Sequence, residues 1–307
     1  MKNTINFYYN IFLDELIKKD NCYYFYYGGD EYYFVPLNRP YDDVQGIYKL
    51  NLEMKKRKCL VHELVLNKDK SIITVVNGIS YVLIKLCKYK NDKVFLNDIN
   101  YIQNMTVNIE CDKSLVRNDW IKLWSEKIDY YEYQISQVGK KYPLLCDSLS
   151  YFIGMGENAI SYLVNNLDSK TNVNLVVSHK RIYQERGSLN FYDPLNFVVD
   201  SRVRDVAEFI KETFYNKTLN LYDLKSYFNM ANLNKNEYIL LLGRLLFPTY
   251  YFDIYDDIIN NGKSEELVIN IIDRTDEYES LLNTIYKFIL YEKKARLEPI
   301  EWLQDKN

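Results

Sequence analysis

The 307 residues carry 39 basic and 42 acidic side chains, a formal net charge of −3, and 48% hydrophobic residues. That length supports a well-buried core in one large or two smaller domains, and the charge leaves no basic excess to draw the chain to nucleic acid or an anionic membrane. Cys22, Cys59, Cys87, Cys111 and Cys146 are odd in number, scattered and without a C-x-x-C pair. They support neither a disulfide framework nor a zinc site and read as buried thiols of a reducing cytosol.

Tyrosine is the compositional outlier, at 31 residues. With the many Asn and Lys it reads as the codon usage of an A+T-rich genome; a sticky or cross-linkable tyrosine surface is the alternative. The first 20 residues lack a continuous apolar core, being interrupted by Asp14 and Glu15, and no run approaches the roughly 20 apolar residues that a membrane span needs. The expectation is a cytoplasmic protein, made and kept inside the cell unless it is later deposited on a cellular structure.

In chain order, Ile5, Tyr8, Phe12 and Leu16 predict an amphipathic helix over Asn6–Lys18. Tyr23–Tyr27 and Tyr32–Val35, around Gly28-Gly29-Asp30, predict a β-hairpin, because glycine supplies the positive φ of a tight turn. A helix follows from Asp42, read as its N-cap, to Lys58. Strands are predicted at Cys59–Leu66, Ser71–Val76 and Tyr81–Leu86, the last two joined by Asn77-Gly78. Lys88–Asn104 is polar and reads as a connection. Beyond it the pattern is helical. Trp120, Trp124, Ile128 and Tyr131 share one face of a helix ending near Gly139, with Pro143 after the stop. A second helix covers Ser148–Leu167, where Glu157 and Asn158 read either as a surface pair or as a polar contact beneath the next loop. Later helices are expected at Leu219–Phe228, Lys235–Phe247, Thr249–Ile259 and Glu265–Leu290.

The chemistry concentrates between Asn174 and Phe214. The strand Leu175–Val177 delivers His179 into a loop with Lys180 and Arg181. A second strand, Asn196–Val199, ends on Asp200, and a helix opens near Val203. A strand with a His-x-x loop followed by a strand ending in Asp is how kinase-like phosphotransferases build their catalytic loop and metal-binding carboxylate. Two positions depart from that pattern. The catalytic Asp two residues after the histidine is Arg181 here, and the metal-binding Asn five residues further on is Arg186. A guanidinium cannot accept the proton of a substrate hydroxyl.

Four ordered patches carry a closer resemblance: YFIGMGENAISYL (Tyr151–Leu163), SHKRI (Ser178–Ile182), DSRVRDVAEFIK (Asp200–Lys211) and LLGRLLFPTYYFD (Leu241–Asp253), with an echo at LEPIEWL (Leu297–Leu303). In these the chain resembles the YutH-like branch of the CotS spore-coat family, which shares the fold of aminoglycoside phosphotransferases. The resemblance implies an α+β, bilobal, protein-kinase-like fold. Residues 1–103 would form a small antiparallel β-sheet lobe, and 104–307 a mainly helical lobe with the altered catalytic loop.

The resemblance can be weighed residue by residue. His179 matches a histidine whose role is mainly to hold the loop. Asp200 matches the Mg-ATP-binding aspartate, although a cap or a salt bridge to Arg202 or Arg204 is an equal reading. Asp205, in the first turn of its helix, meets the helix dipole favourably. Arg244, in an apolar context, needs a carboxylate partner if buried, and Asp205 and Glu208 are the candidates. The Gly28-Gly29 turn lacks the spaced glycines of a phosphate-covering loop, the next strand offers no lysine to hold phosphates, and Glu53 therefore reads as a solvated helix residue. These readings lead to a catalytically impaired kinase-like protein that acts by binding a protein partner in coat or envelope assembly. An active ATP- and Mg²⁺-dependent small-molecule phosphotransferase using Asp200 or Asp193 is the alternative.

Overall fold

The structure, a computed structural model, describes residues 1–89, 91–167, 173–295 and 297–304. The chain forms two compact units, one of Met1–Val116 with Leu175–Asp200 and the other of Arg117–Asn174 with Ser201–Asn307. This grouping differs from a cut at residue 103. The returning segment is tied to the first unit by main-chain bonds: the Asn108 N–H donates to the Leu175 carbonyl at 2.9 Å and the His62 N–H to that of Tyr192 at 3.0 Å.

The first unit begins with α1 (Lys2–Tyr9), followed by β1 (Ile17–Lys19), β2 (Cys22–Tyr27), β3 (Asp30–Pro36), α2 (Tyr41–Lys56), β4 (Glu63–Val65), β5 (Ile73–Val76), β6 (Ile79–Lys85) and α3 (Leu96–Thr106). The strands form one antiparallel sheet in the order β1-β2-β3-β6-β4, with β5 also on β6. Tyr27 faces Asp30 and Val76 faces Ile79, so Gly28-Gly29 and Asn77-Gly78 are two-residue turns at positive φ, as their sequences predict. Ile5, Ile11, Phe25, Phe34 and Leu83 bury together as its core, with Phe34 stacked on Tyr81 at 4.8 Å.

Four expectations are corrected here. The first helix stops at Tyr9, because Asn10 turns left-handed at φ 53°, and Ile17–Lys19 becomes an edge strand. α2 starts at Tyr41 after Pro40 without a side-chain cap, so Asp42 is not its N-cap. The connection Lys88–Asn104 contains most of α3, whose Leu96, Ile99 and Ile102 are buried, and the Asp98 carboxylate accepts from the Phe95 N–H at 2.9 Å to start it. The thiols are also less buried than expected, since Cys59 is buried but Cys146 is exposed and the other three are intermediate.

The second unit is helical. α4 (Trp120–Val138) buries the predicted Trp120, Trp124, Ile128 and Tyr131. α5 (Pro143–Asn166) begins five residues earlier than expected, because Pro143 takes the first helical turn, where its missing N–H costs nothing. Glu157 and Asn158 on α5 are both exposed, which excludes the buried-contact reading. The helix Lys235–Leu246 opens on a reciprocal capping box, Asn234 with Glu237. The stretch read as Glu265–Leu290 is broken into a 3₁₀ turn Glu265–Val268, a short helix Ile269–Ile272 and a long helix Thr275–Tyr291. Among the described residues, no helix is long and apolar enough to cross a membrane.

Candidate functional site

The segment Leu175–Asp200 carries His179, Arg181, Arg186, Asp193 and Asp200. Its strands β7 (Leu175–His179) and β8 (Phe197–Ser201) pair with each other. His179 is the last residue of β7 rather than a loop residue, and it is buried. Its ring stacks on Phe191 at 4.5 Å, and Nε2 lies 2.7 Å from the Phe191 carbonyl. A carbonyl only accepts, so Nε2 carries the proton. Arg181 turns back on its own loop, Nη1 donating to the Lys180 carbonyl at 2.7 Å. Asn196 brackets that loop: its amide donates to the Arg181 carbonyl at 2.9 Å, and its own carbonyl accepts from the Lys180 N–H at 2.8 Å.

His62, which the sequence gave no reason to choose, is the second tie. Its Nε2 donates to the Leu189 carbonyl at 3.1 Å, and its Nδ1 accepts from the Cys87 N–H at 3.1 Å. Both ring nitrogens are thereby assigned, which fixes the neutral Nε2–H tautomer. The short helix Gly187–Phe191 is therefore held at two carbonyls by the two histidines of the chain. Gly187 sits at φ 52°, and a Cβ there would stand 2.2 Å from the Asn91 carbonyl oxygen, so only glycine allows this approach.

Between this segment and the sheet lies a cavity of about 530 Å³ next to one of about 360 Å³, which share a wall of Tyr33, His62, Leu86, Glu185, Arg186 and Leu189. The turn that borders the larger one is that between β1 and β2, with Lys19 and Asp20, and not Gly28-Gly29. From β3 it receives Tyr33 and Val35. Across the two cavities the lining carboxylates are Asp20, Glu31, Asp92, Glu185 and Asp193, and the lining cations are Lys19 and Arg186. Glu185 is offset by Lys93 at 2.9 Å. Arg186 lies over the Tyr183 ring at 4.2 Å.

Asp193 caps the 3₁₀ turn that follows it, accepting from the Leu195 N–H at 2.9 Å. Loss of water around it raises its carboxyl to about 6, against the lowering effect of that hydrogen bond, His179, Arg39 and Lys180. Asp200 is fully buried in β8. Glu53 bonds within its own helix, to Lys56 at 3.1 Å and Arg57 at 3.5 Å. Among the described residues, no group of three or more His, Cys, Asp or Glu is placed to hold a metal ion.

In the second unit Asp205 is buried in the first turn of the helix Val203–Tyr215. Glu208 meets Arg244 Nε at 2.8 Å, as the apolar setting of Arg244 requires. Two further partners join it, the Lys211 ammonium three residues on in the same helix at 3.1 Å and the Thr249 hydroxyl at 2.7 Å. Desolvation lowers the Lys211 ammonium to about 8. Arg202 donates to the Ala231 carbonyl at 2.7 Å.

A six-stranded antiparallel sheet with a helical remainder, and His179 closing β7 ahead of Asp200 in β8, define the kinase-like phosphotransferase fold. An aminoglycoside phosphotransferase from Alicyclobacillus acidocaldarius superposes with a TM-score of 0.62 at 9% identity, over 92% of this chain and 94% of that one. Spectinomycin phosphotransferase APH(9)-Ia, solved with ADP and spectinomycin, superposes at 0.59 and 9% identity, over 86% and 89%. Residues 2–285 match the family described as spore coat putative kinase YutH, and the chain belongs to that family. The endospore coat-associated protein YutH of Bacillus subtilis (strain 168) is 30% identical over 207 residues, 60% of this chain, a match that spans 61% of that relative's length.

Proposed function

We propose that this protein is a kinase-like coat protein that acts by binding and transfers no phosphoryl group. The observation that carries the reading is Arg181. It stands two residues after His179, where the resemblance implies the proton acceptor, and its Nη1 donates to the Lys180 carbonyl at 2.7 Å. Phosphoryl transfer depends on positioning and charge neutralisation. Here β3 brings Tyr33 and Val35 to the cleft instead of a lysine, and Asp200 is enclosed in β8. These residues do not fit a magnesium–nucleotide held for transfer. His179 serves as a positioning residue for the Gly187–Phe191 segment. Asp205, Glu208 and Arg244 serve the stability of the second unit.

The coat association of the Bacillus subtilis relative supports assembly on the spore coat through a protein partner. The test is release of phosphate or ADP from ATP and Mg²⁺, alone and with a panel of hydroxyl substrates. The expected result is a rate equal to the protein-free control.

Asp193 favours a second reading, an altered phosphotransferase. A carboxylate on the cleft wall that titrates near 6 has the basicity of a general base. ATP turnover that disappears in Asp193→Asn or Asp200→Ala would establish it in place of the first.

A further inference from the structure

We infer that the cleft of the first unit is a receptor for a primary ammonium group, carried by a free polyamine or by a lysine side chain. This deepens the binding reading above and rests on it.

Charge is the first argument. Five lining carboxylates face two lining cations; with Glu185 paired to Lys93 at 2.9 Å and Arg186 stacked on Tyr183, acid still prevails. A concave site lined mostly by one sign concentrates the opposite ion. An unaccompanied polyphosphate would be repelled there. The second argument is the aromatic wall. Tyr24 and Tyr33 both line it, their rings in mutual contact at 5.0 Å with planes tilted 59°. Tyr89, on the same wall, is fixed edge-on against Tyr192 at 5.7 Å. Aromatic rings attract an ammonium group through their quadrupoles, and more strongly where water is excluded.

Third, the inner carboxylate is undercompensated. Asp193 lines the larger cavity and has one hydrogen bond to a main-chain N–H, while burial holds its carboxyl well above the usual range. An ammonium entering past Tyr33 would offset that burial. A volume of about 530 Å³ accepts a butylammonium chain with room to spare.

The experiment is calorimetric titration of the full chain with spermidine, with a short lysine-rich peptide and with ATP and Mg²⁺, at low salt and again at about 0.5 M salt, where charge attraction is screened. The expected result is saturable binding of at least one amine, weakened about tenfold or more by salt and by either Asp193→Asn or Tyr33→Ala. Asparagine keeps the acceptor for the Leu195 N–H, and Glu31→Gln is a second, milder variant that should weaken binding in the same direction. Preference for spermidine marks a small-molecule site, and preference for the peptide marks a protein partner. The inference is overturned if neither amine binds at millimolar concentration, or if binding is indifferent to all three substitutions. ATP turnover, measured separately, bears on the absence of transfer and leaves the amine result to be judged alone.

Discussion

His62 and His179, the two histidines of the chain, donate their Nε2 protons to main-chain oxygens two residues apart, those of Leu189 and Phe191. One comes from the stretch before β4 and the other from the end of β7, so the short helix between Gly187 and Phe191 is held from two sides. His62→Ala removes the donor to Leu189 and the acceptor for the Cys87 N–H together. Loss of two hydrogen bonds at a buried residue should cost about 2–3 kcal/mol. A lowered urea midpoint with faster amide exchange at residues 187–192 is the expected outcome; an unchanged midpoint would mean the tie is incidental.

Gly187→Ala tests the close approach itself. The new Cβ would meet the Asn91 oxygen at 2.2 Å, and relief requires backbone to move. Gly262 has a similar φ, 66°, with nothing within 4 Å, so Gly262→Ala measures the conformational cost alone. The drop in melting temperature should be clearly larger at 187 than at 262. Equal drops would show that the contact at 187 carries no weight.

Glu208 meets two buried cations, Arg244 at 2.8 Å and Lys211 at 3.1 Å. Glu208→Gln should therefore destabilise the second unit by about 3–5 kcal/mol, the usual cost of stranding a buried charge. The accompanying sign is that Lys211, already lowered to about 8, falls further when its acid is removed. The variant should thus recover stability as pH rises through 8, relative to the wild type. A flat difference between pH 7 and pH 9 would place the counter-charge elsewhere.

Asp193 gives a second pH dependence. Its folded carboxyl lies near 6, above the unfolded value near 4, so folding favours the protonated form. Its contribution is fully present below about pH 4 and is lost as pH rises through 6. Asp193→Asn should be more stable than wild type at pH 7, and the difference should vanish by about pH 4. A constant difference across that range would show that burial does not perturb this group.

Elements with a local signature were legible in the sequence. The turns Gly28-Gly29 and Asn77-Gly78 and the helix opened by Asn234 and Glu237 are written in adjacent residues. β1 was not, because three residues, Ile-Lys-Lys, give no alternation and are all exposed. α3 was hidden because lysines and asparagines precede it and its apolar positions are few. In the candidate site, the pairing of Arg244 with Glu208 could be read from a charge in an apolar run. Lys211, three residues after Glu208 on one helix, stands at the spacing of a helix ion pair and could have been read beside it; its reach to the Phe247 carbonyl, 36 residues away, could not. His62 was missed for the same reason: Leu189 lies 127 residues on. Contacts of that range follow from the fold, and nothing near His62 in sequence announces them.

The most direct test of the central claim is phosphate release from ATP and Mg²⁺ by wild type and by Arg181→Asp, each beside Asp200→Ala. Binding without transfer predicts no turnover above the protein-free rate in any of the three, since a carboxylate at position 181 restores neither the missing lysine nor access to the enclosed Asp200. Turnover by the wild type that is abolished in Asp200→Ala would contradict the account and make the protein a working phosphotransferase.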